Sequence, residues 1–198
     1  MATDILELIG IALSKLDWNY VTLSRVHYFD GKQAPEVKGE FRWQERPFAY
    51  ELYHQLRLIW DGAGFDSDCV IHSEVAKEYQ KIKELGDKIP DFLFHLPKPD
   101  CNWAVVEVKR AKNPKLQDDF DKLTVFASDP LNYRLLIEVI IGSDAELRTC
   151  ELRLGQWEQF SKQGKNPANI DVFFVSVDTH EISHRRTAYT HSDSWRDL

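Results

Sequence analysis

The segment YRLLIEVIIG, residues 133 to 142, is the strongest constraint on what this chain can become. Its apolar run reads as a buried strand. A second buried strand, IDVFFVSVD at 170 to 178, follows it. The stretch between them opens with a capping box, Ser143 with Glu146 three residues on. Leu147, Cys150, Leu154, Trp157 and Phe160 then continue a helical stripe, and Gly164 suits its stop. A strand–helix–strand unit of this kind needs a sheet with helices laid against it.

Upstream, two further apolar runs, at about 90 to 96 and 103 to 109, flank the turn sequence PKPDCN, which predicts an antiparallel hairpin. CVIHSEVAKEY at 69 to 79 begins with a β-branched pair and reads as a strand. Pro47 stands where a first-turn proline belongs, and Ala49, Leu52, Leu56, Ile59 and Trp60 follow at helical spacing, with DGAG at 61 to 64 as the stop. Leu116, Phe120, Leu123 and Phe126 mark a further helix. Residues 3 to 16 read as an amphipathic helix, 17 to 30 as either its continuation or a strand, and 31 to 40 as a loop or entry strand. The expected fold is therefore α/β, a mixed sheet with helices on both faces. One domain is expected: an N-terminal helical extension over 1–40, a core over 41–178 and a loose polar tail over 179–198.

Composition excludes several classes. The formal charge of -7 does not advertise a polyanion partner for the chain as a whole, although a local basic patch remains open. Cys69, Cys101 and Cys150 form no CxxC pair, which fits a reducing compartment rather than a disulfide framework or a zinc site. The first residues lack a basic n-region and no apolar stretch approaches membrane-spanning length, so a cytoplasmic protein without membrane contact is expected. Gly-rich phosphate loops, GxSxG elbows and Cys–His nucleophile motifs are all missing from the sequence.

The charges within the apolar runs are the chemical clue. Asp91 opens the first strand of the hairpin; Glu107 and Lys109, two apart, share a face near the end of the second. An antiparallel pairing brings the start of one strand beside the end of the other. Two carboxylates are hard oxygen ligands suited to magnesium, which polarises a phosphoryl oxygen and acidifies a bound water. The ammonium then holds that water or offsets charge on a phosphorane.

With Pro90-Asp91 and Glu107-Val108-Lys109, the latter behind the apolar WAVV, the chain resembles the PD-(D/E)xK nuclease superfamily over about residues 45 to 141. That resemblance implies a restriction-endonuclease-like αβββαβ core and hydrolysis of phosphodiester bonds in nucleic acid, DNA being the expected form. It implies Asp91, Glu107 and the Val108 carbonyl as ligands of Mg2+, with Mn2+ as a substitute, Lys109 as the catalytic cation, and Glu51 on the first core helix as an outer or water-mediated ligand. A homodimer would serve cutting of both strands. Gln117 is followed by Asp121 where some exonuclease branches carry Gln-xxx-Tyr, so no exonuclease subtype is implied. The alternative function is a catalytically inactive nuclease-like fold that binds nucleic acid or protein.

Other residues carry weaker signals. Arg110, Lys112, Lys115 and Gln117, just after the motif, are positioned to meet phosphates, or are ordinary loop charges. Glu74 either lines the same cleft or faces solvent. His72 and His95 read as core or rim histidines by default. His180 and His184 have zinc-like spacing only if that stretch is helical. Arg185 and Arg186 touch nucleic acid or nothing.

Overall fold

A computed structural model describes residues 2–24, 28–29, 32–33, 41–62, 69–73, 89–95, 102–161 and 167–191. The N-terminal part holds α1 (Ala2–Ser14), α2 (Trp18–Val21), and the short strands β1 (Thr22–Ser24), β2 (Tyr28–Phe29), β3 (Lys32–Gln33) and β4 (Phe41–Trp43). Strand β1 pairs antiparallel with β4, and β2 with β3. The remaining elements are α3 (Glu45–Gly62), β5 (Val70–Ser73), β6 (Phe92–His95), β7 (Asn102–Arg110), α4 (Leu116–Ala127), β8 (Leu135–Gly142), α5 (Asp144–Ser161), β9 (Ala168–Ser176) and β10 (Ile182–Tyr189).

Strands β5 to β10 form one six-stranded mixed sheet in which spatial order follows chain order. The β5–β6, β6–β7 and β9–β10 pairs are antiparallel; β7–β8 and β8–β9 are parallel. The parallel pairs arise because α4 and α5 return the chain to the same end of the sheet. Period-2 alternation then sorts each strand into two cores. Ala104, Val106 and Val108 of β7 and Ile137, Val139 and Ile141 of β8 pack with Ile9 and Leu13 of α1 and Phe48, Leu52 and Leu56 of α3. On the opposite face Val105, Leu136, Ile140 and Val172 pack with Phe120 and Phe126 of α4 and Leu154 and Trp157 of α5. The protein is thus α/β, a mixed sheet between two helical layers.

The expected hairpin is β6–β7, with Phe92 opposite Val106 and Leu93 opposite Val105. The capping box forms as expected: the Ser143 N–H donates to Glu146 Oε2 at 3.0 Å, and the Glu146 N–H to Ser143 Oγ at 3.3 Å.

Two expectations need correction. The polar tail is not loose over residues 182–189, which form the edge strand β10 in register with β9, from Ile182 opposite Val175 to Tyr189 opposite Ala168. Its backbone bonds come from β9, its Tyr189 is fully buried, and Arg185 reaches Glu158 of α5 at 2.7 Å, so a polar sequence is held by pairing rather than by an apolar run. Nor is the first segment merely an appendage, because Ile5, Leu8, Ile9, Ala12 and Leu13 are buried in the first core. Residues 97–101 of the PKPDCN turn, Glu74, Gly164 and residues 192–198 lie outside the described residues.

Candidate active site

The site lies where β6 begins and β7 ends, against the first turn of α3. Asp91 precedes β6, and its Oδ2 accepts a hydrogen bond from the Val108 N–H at 2.7 Å. That bond ties the start of one hairpin strand to the end of the other. Strand alternation turns Glu107 and Lys109 to the same side, as the sequence requires. The Lys109 ammonium donates to Glu107 Oε1 at 2.6 Å and to the Val108 carbonyl at 3.0 Å. It also lies 3.8 Å from Asp91 Oδ2, 3.7 Å from Glu45 Oε1 and 4.0 Å from Asp119 Oδ1.

The geometry therefore brings Asp91, Glu107, Val108 and Lys109 together. It does not bring Glu51. The Glu51 Oε1 accepts from the Asp17 N–H at 3.1 Å and from Gln55 Nε2 at 2.7 Å, so this buried carboxylate fastens α3 to the chain after α1. Glu45, in the first turn of the same helix, takes the place expected of Glu51. The cavity at this point, about 350 Å³, is lined by Glu45, Arg46, Tyr50, Asp91, Glu107 and Lys109 among others.

Sequence reasoning missed four further members. Helix α4 supplies Asp119 and Lys122; Lys122 bonds to Glu107 Oε2 and donates to the Ile89 carbonyl at 2.8 Å. Strand β8 supplies Glu138, the direct register partner of Glu107, fully buried and with neither carboxyl oxygen hydrogen-bonded. Glu45 is the fourth. A signal existed for Glu138, a lone acid inside YRLLIEVIIG, but Asp119 and Lys122 look like ordinary charges of an amphipathic helix.

Carboxyl groups outnumber ammonium groups here: Glu45, Asp91, Glu107, Asp119 and Glu138 surround Lys109 and Lys122. The imbalance shows in the acidities. Burial and then the charge of Glu107 push the Asp91 carboxyl up to about 6. Burial, only partly offset by Lys109, pushes Asp119 to about 7. Burial and Glu107 drive Glu138 well above its ordinary range. For Lys109 burial opposes the charge, but Glu107, Asp91, Glu138 and Asp119 outweigh it and keep the ammonium protonated above the usual lysine value.

The donor set suits one hard cation. Glu107 Oε1, the Val108 carbonyl and Asp91 Oδ2 are grouped around the Lys109 ammonium, and the excess of carboxyls favours a further positive charge beside it. Among the described residues no three His, Cys, Asp or Glu side chains are arranged to hold a metal ion, so a cation here would take two carboxylates, a carbonyl and water.

The residues expected to meet phosphates are dispersed. Lys112 pairs with Glu146 at 3.2 Å, Lys115 is exposed just before α4, and Gln117 bonds to Tyr189. Arg110 ends β7 and is half-buried, and none of the four lines the cavity. His180 stacks on Trp18 at 4.0 Å, while His184 lies on β10, a strand, and meets Asp171 at 3.0 Å, so the helical zinc spacing does not arise. Arg186 also pairs with Asp171, at 2.9 Å.

Comparison with known protein families, curated proteins and solved structures found no match. The candidate site therefore rests on its own geometry.

Proposed function

We propose that this chain is a divalent-metal-dependent nuclease of the PD-(D/E)xK type, hydrolysing phosphodiester bonds in nucleic acid, with DNA as the expected substrate. One observation carries the reading. The Lys109 ammonium sits 2.6 Å from Glu107 Oε1, 3.0 Å from the Val108 carbonyl and 3.8 Å from Asp91 Oδ2, so the groups of the motif meet at a single point. The run α3–β5–β6–β7–α4–β8 supports it, being the αβββαβ order that a restriction-endonuclease-like core requires.

Asp91, Glu107 and the Val108 carbonyl would hold Mg2+, or Mn2+ in its place, with Glu45 and Asp119 close enough to hold its waters. The ion would supply Lewis-acid polarisation of the phosphoryl oxygen and a more acidic water. Lys109 donates a hydrogen bond that orients the attacking water and opposes the negative charge that grows on phosphorus oxygens. Lys122 holds Glu107 against α4. Tyr50 and Arg46 border the cavity and form the surface a nucleotide first meets. A homodimer would place two such sites on a duplex.

A rival reading, a nuclease-like fold that only binds nucleic acid or protein, draws on one observation: both Glu107 oxygens already face ammonium groups. A cleavage assay on single- and double-stranded DNA and on RNA, with Mg2+ and with EDTA, separates the two. Cutting that needs Mg2+ and falls by about 10²-fold or more in Asp91→Ala supports the enzyme. No metal-dependent cutting of any form, with partner binding unchanged in Asp91→Ala, overturns it.

A further inference from the structure

Two histidines stand apart from the acidic site. Asp91 precedes β6, whereas His95 ends it, at the far end of that strand. His72 is on β5, the edge strand of the sheet. The register pairs His72 with Leu93 and Val70 with His95, so the two rings are diagonal neighbours on one face. The β5–β6 ladder is unbroken from Ser73 opposite Phe92 to Val70 opposite His95. As a result His72 Nδ1 and His95 Nε2 lie 2.6 Å apart, with ring centroids at 4.8 Å and planes at 59°. His72 is exposed and His95 half-buried, so the pair is open to solvent on one side.

We infer that His72 and His95 form a two-imidazole chelate for a late first-row divalent metal, copper(II) in particular, with water completing the coordination. Imidazole nitrogen is a borderline donor that suits copper, nickel and zinc rather than magnesium. The two nitrogens share a hydrogen bond, so a metal must take the place of its proton and part the rings. With metal–nitrogen bonds of about 2.0–2.1 Å, two nitrogens lie about 3.4 Å apart at a tetrahedral angle and about 2.9 Å apart at a right angle. The right-angled arrangement of tetragonal copper(II) is the closer to 2.6 Å and asks the rings to part by only a few tenths of an ångström. Copper(II) also stands at the top of the affinity order for such donors. Ligation needs neutral rings, so affinity falls as the pH is lowered.

The consequence is structural. A metal bound across His72 and His95 ties the edge strand β5 to β6, and because the unfolded chain does not hold the two rings together it raises the unfolding temperature. This inference is independent of the nuclease reading.

The test is titration of the full chain with Cu2+, followed by electron paramagnetic resonance and by proton–nitrogen NMR of the histidine rings. One tight copper per chain, a hyperfine pattern of two nitrogens, and line broadening at the His72 and His95 rings before any other histidine are expected. His72→Ala and His95→Ala should each weaken binding by about tenfold or more, whereas His54→Ala, at an exposed position on α3, should leave it unchanged. Broadening that starts at other histidines of the wild-type chain, or a single-nitrogen pattern, overturns the site even if a variant fails to fold. Equal affinity in the wild type and in His72→Ala or His95→Ala also overturns it.

Discussion

On one face of β7, Ala104, Val106 and Val108 pack into an apolar core; on the other, Val105 is followed by Glu107 and Lys109, which meet charged groups from α4, β8 and the start of β6. The two faces belong to one strand, and Glu107 is nearly as shielded as Val108, at 2% exposed against 0%. What differs is what each face must hold in place. Apolar packing is non-directional and accepts any well-shaped neighbour. Buried charges accept only partners at the right distance, and an excess of one sign remains as a raised acidity. The apolar face gives β7 its rigidity. The charged face carries a cluster of carboxyls whose raised acidities record the cost of holding them there.

The largest effect expected on this contrast is from Lys122→Met. It removes one of the two cations on Glu107 and the donor to the Ile89 carbonyl. Breaking a buried pair in this way costs about 3–5 kcal/mol, read as a lower urea midpoint with unchanged slope. A loss within experimental error would mean that Glu107 needs no second cation and that the two faces differ less than their chemistry suggests.

Glu138→Leu should act in the opposite direction. The Glu138 carboxyl is fully buried with no hydrogen bond to either oxygen, so its replacement by an apolar side chain stabilises the fold by about 1–3 kcal/mol at neutral pH. The pH dependence follows from proton counting. Glu138, Asp91 and Asp119 all have folded pKa values above their unfolded ones: Asp91 moves from 3.8 to about 6, Asp119 from 3.8 to about 7, and Glu138 rises well above 4.5. The folded state then binds more protons than the unfolded one, and stability falls as pH rises from about 4 through 7. Urea unfolding at a series of pH values should show that fall, and Glu138→Leu should flatten its upper end. An unchanged pH slope in the variant would remove Glu138 from the coupled cluster.

The smallest effect belongs to the apolar face. Ile137, next to Glu138 in sequence but on the opposite side of the sheet, is fully buried in the first core. Ile137→Val should cost about 0.5–1.5 kcal/mol, with no change in the pH slope. A pH-dependent loss would show that the two faces are coupled through β8 rather than separated by it.

Much of the fold was legible along the chain. The hairpin, the strand–helix–strand unit and the capping box at Ser143 follow from local rules of period, turn and cap, and those rules are satisfied within a few residues of each other. Strand β10 was not legible. An edge strand pairs along one side only, and ISHRRTAY has no apolar run to announce it; its place depends on β9 and on Tyr189 reaching Asp121 at 2.9 Å, 68 residues away in sequence.

The candidate site divides along the same line. The side shared by Glu107 and Lys109, and the nearness of Asp91, follow from strand alternation and antiparallel pairing, which are properties of the backbone that sequence pattern reveals. The choice of Glu45 over Glu51 does not. Both are acids on α3, and only the rotation and height at which that helix packs on the sheet decide which one reaches the cavity and which one holds the Asp17 N–H. The same holds for Asp119, Lys122 and Glu138: helix and strand periodicity assign each a face, but only the docking of α4 and the parallel register of β7 with β8 bring those faces together around Glu107. Sequence determines what each segment can be, because its rules are short-range. Tertiary structure decides which charges share a buried space, because that depends on distances between segments that the chain order leaves open.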